Sequence, residues 1–182
     1  MKEENKLLTY VYDFAGIFVT AIIAILILFT FVLKTSIVNG QSMENTFYNG
    51  DKILISSYDY SVDYGDVVVI SQPNLYEKVL IKRVIAVEGQ TVSFDQTTNE
   101  LLIDGEKIDE PYIKEDMKLI YSSMKQEISI PEGYVFVMGD NRNNSADSRD
   151  SNVGLIDKRY IIGQVFYKFG DSSFFEKDSF NG

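Results

Sequence analysis

Ser42, Lys82 and the polar loop from Gly139 to Asp150 are the parts of this 182-residue chain whose types and spacing could do chemistry. What is missing narrows that chemistry. The chain has no His and no Cys. Ser-His-Asp and Cys-His triads, thiol nucleophiles, disulfides and the usual His or Cys metal sites are therefore excluded. A hydrolase built from these residues must draw its general base from Lys, Asp, Glu or Tyr. A serine nucleophile can be served by lysine only if the amine is neutral. Bringing a lysine from ~10.4 to near 7 costs roughly 4–5 kcal/mol. Burial among apolar groups can move it by up to about 3–5 pH units.

Lys82 has the required setting. It lies in Val79-Leu80-Ile81-Lys82-Arg83-Val84-Ile85-Ala86-Val87, apolar except at two positions. Strand alternation groups Leu80, Lys82, Val84 and Ala86 on one face and Ile81, Arg83 and Ile85 on the other. An edge strand guarded by a charge is the ordinary alternative. Ser42 follows Gly40, where the backbone can approach another chain closely. In that turn a backbone N–H could face a developing oxyanion. By itself Ser42 also suits an ordinary loop. The loop Gly139-Asp140-Asn141-Arg142-Asn143-Asn144-Ser145-Ala146-Asp147-Ser148-Arg149-Asp150 either satisfies itself as a solvated connection or is held rigid by its own ion pairs.

These residues need elements to position them. Phe14 to Leu33 contains neither charge nor Pro in 20 residues. At ~1.5 Å per residue it spans roughly 30 Å, the depth of a hydrocarbon core. It is too long for a typical cleavable signal, and no small-x-small site follows it. Beyond it, short runs rich in Val, Ile, Phe and Tyr predict strands at Lys52–Ser56, Asp66–Ser71, Val79–Val87, Thr91–Phe94, Leu101–Ile103, Tyr134–Met138 and Tyr160–Tyr167. Turn signals such as Asn49-Gly50-Asp51, Glu88-Gly89 and Asp104-Gly105 separate them. Lys114 to Glu127 reads as a long loop or short helix, and Asp171 to Gly182 as a peripheral tail. The expected class is mostly β: one membrane helix followed by an antiparallel sheet domain. With 27 acidic against 17 basic residues and no basic cluster, the charge of −10 argues against nucleic-acid binding.

Taken together and in order, four segments resemble the type I signal peptidases of the Ser/Lys class. Gly40-Gln41-Ser42-Met43 with Thr46 resembles the nucleophile box of that family. Gly65-Asp66-Val67-Val68 resembles its second box, and Lys82-Arg83-Val84 followed by Gly89 its lysine box. Gly139-Asp140-Asn141-Arg142 with Ser145, Asp147, Ser148 and Arg149 resembles the last box closely. The resemblance runs from the anchor to about Gly170.

It implies a membrane-bound serine endopeptidase that removes signal peptides from secreted pre-proteins. Ser42 would attack the scissile carbonyl, and Lys82 would take its proton and return it to the leaving amine. Ser145 would hydrogen-bond and orient the lysine. Asp147 would pair with Arg149 to support the loop. Gly40, Gln41 and Met43 would line the substrate path, where the family accepts small side chains. The Ser42 N–H would serve the oxyanion. Some relatives add a serine hydroxyl two residues earlier; here that residue is Gly40, as in the Gram-positive-type branch. Neither cofactor nor metal is implied; the partners are pre-proteins and the lipid bilayer. Asn45 stands where the family usually has Pro, a turn-stiffening residue. Since Asn also suits turns, Asn45→Pro is expected to leave cleavage intact.

The implied organisation is a cytoplasmic tail at 1–13, a transmembrane helix at 14–33 and an extracytoplasmic catalytic β domain at 34–182. Eight residues separate Leu33 from Ser42, at most ~30 Å of extended chain, so the nucleophile should work at the membrane surface. The alternative is a non-catalytic relative that assists surface assembly. Such a protein would be expected to lose the Ser or the Lys, and this chain keeps both.

Overall fold

The computed structural model describes residues 2–57, 61–73, 78–95, 97–118 and 127–170. A helix α1 (Lys2–Ile27) leads into one wide π-turn, Leu28–Val32. Within it, Thr9–Thr30 is long and apolar enough to cross a membrane. Its described apolar side chains, Phe14, Ile17 and Phe18 among them, are exposed, which is what a lipid-facing helix requires. The helix begins before Phe14, and the anchor ends sooner than the apolar run suggests. The Leu33 N–H closes the last turn on the Leu28 carbonyl, and the backbone there is already extended. Leu33 therefore opens a strand, β1 (Leu33–Ile37).

The remaining strands are β2 (Lys52–Ser56), β3 (Val67–Ile70), β4 (Leu80–Val87), β5 (Thr91–Phe94), β6 (Leu101–Ile103), β7 (Glu106–Lys107), β8 (Glu127–Ser129), β9 (Tyr134–Met138), β10 (Ile156–Asp157) and β11 (Ile161–Phe169). They form a mostly antiparallel β domain behind one apolar helix. Seven strands lie in the order β1-β2-β11-β3-β4-β9-β10, and four in the order β7-β6-β5-β8. Four strands begin and end where the residue pattern places them: β2, β5, β6 and β9. The edges of β3, β4 and β11 differ by one or two residues, and Tyr160 belongs to a short 3-10 turn ahead of β11. Of the segment read as loop or helix, residues 114–118 are irregular, 119–126 lie outside the described residues, and Glu127 opens β8. The tail at 171–182 also lies outside them.

Alternation along β4 holds as far as Val84. Val68, Ile70 and Val84 share one core cluster, while Val67 and Val69 share another with Ile81 packed against it. A bulge between Val84 and Ala86 then shifts the register. Ala86 consequently joins Ile85, Phe136 and Met138 in a third cluster, instead of continuing the Lys82 face. That cluster also takes Val92, Phe94, Leu101 and Ile103, and so bonds the small sheet to the large one. The central strands β3, β4 and β9 are buried almost throughout. They form the firm base from which Lys82 and the loop after β9 project.

Candidate active site

The nucleophile turn is fixed by its own apolar residues. Met43 and Phe47 are buried in the cluster of Val38, Ile53, Ile55, Val67, Val69 and Val165. Between them the chain reverses tightly: the Thr46 and Phe47 amides both donate to the Met43 carbonyl, at 3.0 and 2.7 Å. Ser42 is left at the start of the turn, beside a cleft of about 450 Å³. Residues 36–40, 42 and 43 and residues 78–82 line this cleft.

β4 delivers Lys82 to the same place. Its Nζ lies 2.7 Å from Ser42 Oγ and donates to the Ile81 carbonyl at 2.9 Å. The side chain is 3% exposed. Burial lowers the amine from its ordinary value to about 8. The Asp147 and Asp140 carboxylates oppose that shift, and the Arg149 guanidinium adds to it. A lysine so placed loses its proton near pH 8, well below the ordinary lysine range.

The loop after β9 closes the site from behind. Asp147 is fully buried. Burial alone would raise its carboxyl, but the bonds and charge of Arg149 and the Gly139 amide hold it below the usual carboxylate range. Arg149 grips both Asp147 oxygens, at 2.8 Å each, and Gly139 N–H donates to Oδ2 at 3.0 Å. Arg149 also donates to the Arg142 carbonyl, tying the loop across itself.

Gly139 has no room for a side chain. A Cβ there would fall 2.3 Å from Ser145 Oγ and 2.4 Å from the Ser42 carbonyl oxygen. Ser145 is thereby packed close to the nucleophile. Its hydroxyl, however, is buried and makes no bond to Lys82; its polar neighbour is Asp147, whose carboxyl it helps to hold down. The Ile81 carbonyl takes the position of second partner to the amine that the resemblance gave to Ser145.

The three residues assigned to the substrate path separate. Gly40, at φ +107°, lines the cleft with Met43. Its N–H is already taken by Asn49 Oδ1 at 2.9 Å. Gln41 turns the other way. Its carbonyl accepts from Asn141 Nδ2 and its side chain from Asn144 Nδ2.

Composition and alternation did not single out one layer of the site. Arg83, 1% exposed, grips both oxygens of Asp140 at 2.9 and 2.7 Å and donates to the Gly65 carbonyl at 2.8 Å. Asp140 in turn accepts from the Thr46 hydroxyl. The nucleophile turn, the lysine strand and the polar loop thus converge on one buried ion pair. The Arg83 guanidinium stacks 4.0 Å above the Tyr112 ring. Burial, with the Glu110 charge beside it, pushes the Tyr112 hydroxyl far up, so that it stays a neutral donor to Glu110. Glu110 pairs with Arg142 through both carboxylate oxygens. Thr46, Gly65, Arg83, Asp140 and Arg142 all lie in the segments that carry the family resemblance, but nothing in the residue pattern pointed to Glu110 or Tyr112.

Asn45 differs most from its expected behaviour. Its φ is +96°, in the region that favours Gly and Asn. Its Nδ2 donates weakly to the carbonyls of Tyr112 and Ile113, at 3.3 and 3.4 Å. Proline, fixed near −65°, cannot adopt this conformation.

Residues 11–169 match the family described as signal peptidase, peptidase S26. The chain belongs to that family. Signal peptidase I S of Bacillus subtilis is 31% identical over 185 residues, covering 94% of this chain and 97% of the relative. Signal peptidase IB of Staphylococcus aureus is 32% identical over 196 residues, covering 98% and 96%. A solved signal peptidase I from Enterococcus faecalis is similar at 24% identity and a TM-score of 0.47, covering 58% of this chain and 97% of that one. Membership makes this signal peptidase a serine endopeptidase of the signal-peptide-processing kind.

Proposed function

We propose that this signal peptidase removes signal peptides from secreted pre-proteins with Ser42 as nucleophile and Lys82 as general base. The observation that carries the assignment is the 2.7 Å contact between Ser42 Oγ and an amine buried among apolar residues. Neutral Lys82 accepts the Ser42 proton as Oγ attacks the scissile carbonyl. The tetrahedral oxyanion is met by the Ser42 N–H. The Lys82 ammonium then passes its proton to the leaving amine as the C–N bond breaks. The mature protein departs, and the signal peptide remains as an ester on Ser42. Lys82 next takes a proton from water, the hydroxide attacks the ester, and Ser42 recovers its proton.

The substrate lies in the cleft as an extended strand between residues 36–40 and 78–82, with backbone hydrogen bonds to either wall. The helix anchors the enzyme with residues 1–13 inside and the β domain outside, where a signal peptide's own apolar segment brings its cleavage site. Incubating detergent-solubilised enzyme with a secretory pre-protein tests the dyad. Ser42→Ala, Lys82→Ala and Lys82→Arg should each abolish cleavage, the last because guanidinium stays protonated. Wild-type cleavage by any of them sinks the assignment. Orientation is tested on the Cys-free chain by placing one Cys at Lys107 and labelling intact cells with a membrane-impermeant maleimide. Absence of labelling until the cells are lysed reverses the topology.

A further inference from the structure

The Ser42 amide is one of those left open in its turn, and the one that belongs to the nucleophile. The amides of Glu44, Thr46 and Phe47 all find carbonyl acceptors inside it. The Ser42 N–H meets no acceptor among the described residues. Its direction is set by its neighbour, because in a trans peptide the N–H points opposite to the preceding C=O. That C=O belongs to Gln41, and it is held from two directions. Asn141 Nδ2 donates to it at 3.0 Å and the Glu44 amide at 3.2 Å.

The carbonyl after the nucleophile is held as well. The Asn141 main-chain N–H donates to the Ser42 oxygen at 3.0 Å. One residue, 3% exposed, therefore fastens the carbonyl oxygens on both sides of the nucleophile. Neither bond reaches Ser42 Oγ or Lys82 Nζ. Asn141 is itself immobilised by its neighbours, since Asp140 is gripped by Arg83 and Arg142 by Glu110.

We infer that Asn141 is the positioning residue of the oxyanion site: by holding the Gln41 carbonyl it aims the Ser42 N–H at the oxygen that becomes negative in the transition state. The inference rests on Ser42 being the nucleophile. A donor of this kind stabilises the transition state in proportion to how well it is aimed beforehand. Asn141→Ala removes the side-chain donor, adds no charge near Lys82, and keeps the main-chain bond to Ser42.

The test uses full-length enzyme in detergent and a cleavable peptide substrate. Asn141→Ala should lower kcat by about 10- to 100-fold with KM within about 2-fold of wild type. A peptide aldehyde, whose adduct with Ser42 places an oxygen in the oxyanion position, should bind more weakly by a similar factor. The same peptide carrying a reduced, uncleavable amide should bind as before. The acid limb of the pH profile should stay where the wild type has it. Wild-type kcat overturns the inference, as does equal weakening of aldehyde and reduced peptide, which would mark a general collapse of the turn. If Asn141→Ala does not fold, Asn141→Ser, whose shorter hydroxyl falls short of the Gln41 carbonyl, must show the same split between the two ligands. A Ser42→Ala enzyme that is dead while Asn141→Ala runs at full rate defeats this inference alone; an active Ser42→Ala defeats the reading beneath it.

Discussion

Ser42 Oγ and Lys82 Nζ stand 2.7 Å apart, and the amine's other bond, to the Ile81 carbonyl, comes from its own strand. The lysine is thus presented to the serine by backbone geometry and desolvated by β4 and its neighbours. Among the described residues no carboxylate is bonded to it; Asp140 and Asp147 act on it only through space. This arrangement lets the amine lose its proton while the neighbouring ion pairs keep their charges.

Cleavage should rise with pH through a limb centred near 8, the value to which burial lowers Lys82. Below it the amine is protonated and cannot accept the Ser42 proton; above it the base is ready. A kcat/KM profile on a peptide substrate measures the limb. A midpoint at the ordinary lysine value of 10.5 would show that burial does not tune this base.

Lys82→Met should be inactive yet more stable at pH 7. The folded value of about 8 lies below the ordinary 10.5, so below pH 8 folding buries a charged amine, and between the two values it releases the proton. That costs stability in full below pH 8, and the cost fades as pH rises toward 10.5. The gain at pH 7 is at most about 3 kcal/mol, and it should shrink at higher pH. Urea unfolding of both proteins at pH 7 and pH 10 checks the sign and the trend.

Asn45→Pro should damage the enzyme, contrary to the expectation drawn from the family's usual residue. A φ of +96° is closed to proline. Forcing the turn to change costs about 1–3 kcal/mol, equivalent to roughly 5- to 150-fold if it is all felt in the rate. Asn45→Gly keeps the conformation and loses only the two long bonds to Tyr112 and Ile113, so its kcat/KM should fall much less. Equal activities of the two variants would contradict the structure.

Gly139→Ala should lower kcat by about 100-fold or more, since displacement of a reacting group by about 1 Å carries a cost of that order. The added methyl would meet the Ser42 carbonyl oxygen at 2.4 Å, and that oxygen is backbone and cannot swing aside.

Arg83→Met should unfold the domain more readily, by about 3–5 kcal/mol, because it leaves the Asp140 charge buried without its guanidinium. Arg83→Lys should recover only part of this loss, since an ammonium can neither grip both carboxylate oxygens nor stack as a plane on Tyr112.

What the sequence made legible were features that depend on local chemistry. Strands β2, β5, β6 and β9 are apolar runs bounded by turn residues, and their limits could be read directly. Ser42 and Lys82 stood out because a chain without His has few ways to build a base. The misreadings have physical causes. Leu33 continues the apolar run of the helix, so composition gave no sign that the backbone becomes extended there. β7, β8 and β10 are two or three residues long and owe their form to their partners. Ala86 changes face because of a bulge, which leaves no trace in alternation. Tyr112 and Asn141 act on residues 29 and 99 positions away, and only the fold brings them together.

The join between helix and domain has a mechanical consequence. α1 passes through the π-turn into β1 with no linker between them, and β1 is zipped to β2 along its whole length. The Ser57 amide further ties β2 back to the Val32 carbonyl at 3.0 Å. The anchor is thus a handle welded to the sheet, where a flexible linker would have made it a leash. A single-span helix adjusts its tilt to the thickness of the hydrocarbon around it. With α1 spanning the bilayer and Ser42 the nucleophile, as proposed, any such tilt would swing the cleft with it, so the surrounding lipid would help to set the height and pitch at which Ser42 meets a peptide bond.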